Sequence, residues 1–79
     1  MSAVVEKVKQ LISDIMQCPV EEISLETTSR DVAMWDSMNH LNLVMAIEQE
    51  YRVRFTPDEI QRMLSVRAIL DEIGKRLPK

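Results

Sequence analysis

Between Ser37 and Tyr51 the apolar residues spread too widely for an ordinary surface helix. Met38, Leu41, Leu43, Val44, Met45, Ile47 and Tyr51 recur at helical spacing. At 100° per residue they cover roughly 220° of the circumference. A helix apolar over more than half its surface is expected at the centre of a bundle. The remaining strip of Asn39, Asn42, Ala46, Gln49 and Glu50 is mostly neutral. With 79 residues in the chain, the expectation is a single domain over 1–79, burying about 60–65% of its unfolded surface around a modest core.

The other elements arrange themselves around that helix. Val4, Val5, Val8, Leu11, Ile12 and Ile15 predict an amphipathic helix over 2–17. Pro19 stops it by pushing Cys18 out of the helical region. Residues 19–35 show no sustained period and read as a long loop, pinned by Val20, Ile23, Leu25, Val32 and Met34. A loop of that length in a small domain usually carries a function. Thr56-Pro57-Asp58-Glu59 predicts a capping box with proline at the first helical position. That third helix is short, because Ser65 can cap a fourth, with Ile60, Met63 and Leu64 facing inward. In the fourth, Val66, Ile69, Leu70, Ile73 and Leu77 form one stripe, and Gly74 and Pro78 mark its end. The fold class expected is all-α, a small four-helix bundle with a long loop between helices one and two. Its predicted core joins Leu41, Val44, Met45 and Ile47 to Leu11, Ile15, Ile69 and Ile73.

Composition removes several functions. The chain holds 13 acids against 10 bases, a balance that argues against nucleic acid as partner. Residues 36–61 carry five acids and two bases, while residues 62–79 carry two acids and five bases, so the basic end lies in the last helix, with too few charges for a strong phosphate footprint. Arg62, Arg67, Lys75 and Arg76 read as a solvated face. One cysteine, Cys18, excludes an internal disulfide and any multi-cysteine metal site. No apolar run reaches the length of a membrane span and no signal-peptide pattern opens the chain, so the expected compartment is the cytoplasm, with no membrane partner. His40 is the only histidine and lacks partners for metal binding or catalysis; it is expected at the edge of the apolar face.

Against this background one run stands out, Trp35-Asp36-Ser37-Met38-Asn39-His40-Leu41. Asp36 can cap the central helix and Ser37 then stands in its first turn. A hydroxyl there is exposed beside the positive end of the helix dipole and is well placed to carry a phosphodiester.

Asp36-Ser37-Met38, followed by Leu41, Leu43-Val44-Met45-Ala46-Ile47-Glu48 and Tyr51, resembles the acyl carrier protein family. There an Asp-Ser-Leu run opens the second helix and its serine carries phosphopantetheine. Thr56-Pro57-Asp58-Glu59 and Ser65-Val66 match the third helix and the start of the fourth, so the resemblance covers nearly the whole chain. It implies that Ser37 receives phosphopantetheine from coenzyme A through a phosphopantetheinyl transferase, and that Asp36 also contacts that enzyme. It implies a thioester on the prosthetic thiol, a carrier and not an enzyme, without catalytic or metal-binding residues. The implied partners are an acyl- or aminoacyl-loading enzyme and downstream acyltransferases or synthases, met by a monomer through helix two, with Trp35, Met38, Asn39 and Leu41 as recognition residues.

Two departures narrow this picture. Met38 replaces the usual leucine, a tolerated volume match. Asn39, His40 and Asn42 stand where carriers of fatty acid synthesis place acids, so the chain resembles stand-alone carriers of specialised pathways, fatty acid or polyketide biosynthesis remaining within the range. A peptidyl or aminoacyl carrier of the same fold is one alternative, and an unmodified helical interaction domain is another. Trp35 reads equally as exposed recognition residue or loop packing. Of the six methionines, Met16, Met45 and Met63 are expected to fill the core, while Met34 and Met38 lie nearest the arm.

Overall fold

The computed structural model describes residues 2–77. They form four α-helices, α1 (Ser2–Met16), α2 (Ser37–Tyr51), α3 (Pro57–Arg62) and α4 (Val66–Arg76), with a 3₁₀ turn at Val20–Glu22. The 3₁₀ turn, inside the long loop, is the one element the apolar spacing does not announce. Among the described residues there is no strand, only an isolated antiparallel bridge between Thr28 and Ser65.

The helix starts follow local chemistry. Asp36 accepts from the N–H of Asn39, and Ser65 from the N–H of Ala68. Thr56 and Glu59 form the full capping box, with Pro57 at the start of α3. At the far end of α1, Gln17 turns the backbone into the left-handed region at φ 56. The Ser13 hydroxyl donates to the carbonyl of Cys18 at 2.6 Å, closing that turn.

The core is built from Val8, Ile12 and Met16 of α1, Leu43, Val44 and Ile47 of α2, Met63, and Val66, Ile69 and Ile73 of α4. Ile23, Trp35 and Phe55 join it from the connections. Leu11 and Ile15 pack half-buried at its margin. α2 departs from expectation. Only one stripe, His40, Leu43, Val44 and Ile47, is buried. Leu41 and Met45 are 52% and 55% exposed and Met38 is 72% exposed. The reason is the length of α3, whose six residues are too few to cover the third side of a 15-residue helix. Leu64, also expected inward, is 43% exposed.

The long loop is held in place. Ser29 N–H donates to the carbonyl of Leu64 at 2.8 Å, and Val66 N–H to the carbonyl of Thr27 at 3.0 Å. Thr27 is buried and its hydroxyl accepts from Ser24 N–H. Asp31 accepts from the N–H of Thr28, tightening the next turn.

Two expectations at the C-terminal end are revised. Arg76 is not solvated: it pairs with Glu59 and Glu72, donates to the carbonyl of Arg54 at 2.8 Å, and lies 4.6 Å from the centre of the Phe55 ring. The Thr56 N–H and the Arg76 guanidinium hold the Glu59 carboxyl below its ordinary range. Because Arg76 ties down the last turn, α4 continues through Gly74 instead of ending there; Pro78 lies outside the described residues. Gly74 is exposed, and a Cβ added to it meets nothing within 4 Å. Gly74→Ala is therefore expected to stabilise the fold by about 0.5–1 kcal/mol, read as a raised midpoint in urea with unchanged slope.

Candidate functional site

The site lies where the long loop turns into α2. Asp36, in extended conformation, accepts from Asn39 N–H through Oδ1 at 2.9 Å and from His40 N–H through its carbonyl at 2.8 Å. Its own N–H donates to the carbonyl of Met34 at 2.9 Å. The Asn39 side-chain amide donates to that same carbonyl at 2.7 Å. Asn39 thus ties the loop to the helix, a role the sequence pattern does not reveal. Ser37 follows as the first residue of α2, exposed. At this end of the helix the leading N–H groups have no intrahelical acceptor, and the helix dipole is positive.

Behind Ser37, Trp35 and His40 are buried together. The Trp35 indole N–H donates to His40 Nδ1 at 2.9 Å, and the rings stack with centroids 6.1 Å apart. An indole nitrogen only donates, so Nδ1 is the acceptor and the imidazole proton sits on Nε2. That nitrogen donates to the carbonyl of Ile60 at 2.7 Å. The Ile60 carbonyl, near the end of α3, also accepts from the N–H of Met63 at 3.2 Å, and the imidazole takes its second lone pair. Both ring nitrogens being satisfied, the imidazole sits on the inward face at small cost, not at the edge. Trp35, 6% exposed, is loop packing and not a projecting recognition side chain.

Beside Ser37 runs an open groove of ≈ 660 Å³, lined by Ser29, Trp35, Asp36, Ser37, His40, Leu41, Ile60, Gln61 and Leu64. Ser29, Ile60, Gln61 and Leu64 were not among the site residues expected. They come from the loop, from α3 and from the connection after it, and the bonds of Ser29 to Leu64 and of His40 to Ile60 bring them to α2. Met38 and Leu41 lie beside Ser37, both well exposed although Leu41 was expected in the core, and Met45 continues their ridge along α2. Met34 is exposed near the same end, while Met16 and Met63 fill the core. Cys18 does not line the groove; burial and the nearby Glu22 carboxylate push its thiol up, away from reactivity.

Residues 6–73 match a family model described as "Phosphopantetheine attachment site". The chain belongs to this family. Curated relatives named acyl carrier protein match over almost the full length. That of Nitratidesulfovibrio vulgaris is 31% identical over 74 residues, covering 94% of this chain and 97% of the relative. That of Thermosynechococcus vestitus is 28% identical over 76 residues, covering 96% and 94%. That of Buchnera aphidicola is 29% identical over 79 residues, covering both chains entirely. The cofactor of this attachment family is covalently held phosphopantetheine, and a small all-helical fold is what the structure has. Among the described residues no helix is long and apolar enough to cross a membrane.

Proposed function

We propose that the protein is an acyl carrier whose Ser37 receives the phosphopantetheine arm from coenzyme A. The observation that carries this reading is an exposed hydroxyl at the N-terminus of α2, opening onto a groove, in a chain that matches the attachment-site family. The fit is physical. A phosphodiester on Ser37 Oγ lies beside the positive helix end, and no side chain covers it. The arm supplies a terminal thiol that holds acyl cargo as a thioester. The chain's own contribution is to present that arm from a rigid point and raise the cargo's effective concentration at each partner. Asp36 holds the helix start in register and leaves a carboxylate edge for the modifying enzyme.

The test is direct. Purified chain incubated with coenzyme A and a broad-range phosphopantetheinyl transferase should gain the mass of one phosphopantetheine group. Folded protein that gains none rules the carrier reading out.

The partner face is the exposed ridge of Met38, Leu41 and Met45, with Asn42 beside it. The first turn of α2 holds no acidic residue. Enzymes that read acids there are expected to load this carrier slowly, because opposed charges mainly set the on-rate. This favours a specialised pathway over fatty acid synthesis. Asn39 is tied to the Met34 carbonyl, so a charge is better introduced at exposed Asn42. Asn42→Glu should speed loading by a fatty acid synthesis enzyme about threefold at low salt, the gain vanishing as salt screens it. Unmutated protein loaded as fast as an acidic-helix carrier, with the same salt dependence, would return it to the fatty acid pathway.

A further inference from the structure

One chain of hydrogen bonds crosses from the loop through α2 to α3. It runs from the Trp35 indole to His40 Nδ1 and from His40 Nε2 to the carbonyl of Ile60. The same three residues line the groove beside Ser37. None of the fully buried core side chains, Leu43, Val44, Ile47 and Met63 among them, lines it. The groove is thus closed off from the apolar interior by a floor of hydrogen-bonded groups.

We infer that this Trp35–His40–Ile60 floor confines the cargo to the surface groove, so that the protein carries short acyl groups and offers long aliphatic chains no buried site. The inference rests on the carrier reading. A long chain entering between α2 and α3 has to break the His40–Ile60 bond and displace an imidazole that Trp35 holds in place. Each buried group left unpaired lowers the population of the opened state by roughly five- to a hundredfold. Interiors are close-packed, so the chain also has to displace side chains already in contact, and its methylenes gain little net burial. The groove itself is open to solvent and offers cargo a surface contact instead of an enclosed one. Leu41, Ile60 and Leu64 give it a short apolar wall, and Ser29 and Gln61 add polar groups.

The test loads apo protein from butyryl- and palmitoyl-coenzyme A with a broad-range phosphopantetheinyl transferase and checks each product by intact mass. The readouts are the thioester lifetime in hydroxylamine and the emission of Trp35, the single tryptophan. Equal lifetimes for the two acyl groups are expected, with Trp35 emission the same in both. His40→Leu removes both hydrogen bonds, and Trp35→Phe removes the first while keeping a ring, which covers the case in which the former does not fold. Either should lengthen the palmitoyl lifetime by roughly tenfold, the effect of burying about two more methylenes. A wild-type palmitoyl thioester far longer-lived than the butyryl one, or a shift of Trp35 emission on palmitoylation of the arm, overturns the inference and leaves the carrier reading standing. Variants whose palmitoyl lifetime stays at the wild-type value overturn the role of the floor. Protein that gains no arm at all overturns the carrier reading, and this inference with it.

Discussion

Ser37→Ala is expected to abolish the mass gain with coenzyme A and transferase while leaving the melting temperature unchanged or slightly raised. The loss is complete because the hydroxyl is the only atom of residue 37 able to form the phosphodiester, and alanine has none. Stability survives for three reasons. Ser37 is exposed; the cap belongs to Asp36, whose Oδ1 accepts from Asn39 N–H; and alanine has the higher helix propensity, by up to about 0.5 kcal/mol. Intact mass and a thermal melt on the same sample separate the two effects. A variant that still gains the arm places the attachment elsewhere, and a variant that unfolds gives Ser37 a structural role that its surroundings do not suggest.

Leu43→Ala should cost about 3 kcal/mol, while Leu41→Ala, two residues earlier on the same helix, should cost less than about 0.5 kcal/mol. Leu43 is fully buried and Leu41 is half open to solvent. Truncating a buried leucine loses its transfer energy and leaves a cavity that the surroundings only partly fill. A surface truncation does neither. In so small a domain the Leu43 variant should melt roughly 15 °C lower. Equal losses for the two would mean that α2 is rotated from the orientation described. Leu41→Ala should instead reveal itself in slower loading by the partner enzyme, since that side chain lies on the open ridge next to Ser37.

That pair marks where sequence reading stops. The caps at Asp36, Thr56 and Ser65 are legible because each is local chemistry between residues three apart. The inward residues of α4 are legible because one clear stripe fixes its face, whereas on α1 the predicted Leu11 and Ile15 lie at the margin and Val8, Ile12 and Met16 carry the core. On α2 the apolar residues cover two faces, and the face buried depends on which neighbours are long enough to cover it. The short α3 decides that, and no period within α2 records it. His40 could have been read from its register with Leu43, Val44 and Ile47, all on one side of the helix. Its polarity argues the other way until Trp35 and the Ile60 carbonyl are seen to satisfy both nitrogens. Asp36 as cap and Ser37 as exposed first residue of α2 are legible because a helix start is local, whereas Ser29 and Gln61 reach the groove only through the packing of distant segments.

The bridge between Thr28 and Ser65 has a consequence in time. The segment before α2 is anchored by bonds from Ser29 to Leu64 and from Val66 to Thr27, partners that lie on the far side of α2 and α3 in the chain. Closing such a contact orders everything between its ends, so it forms late, after the helices themselves. On a ribosome, α1 and α2 emerge with Ser37 already made, yet the loop beside it has nothing to fasten to until Val66 is out of the exit tunnel. The loop beside Ser37 therefore reaches the geometry described only once the residues through Val66 are in place.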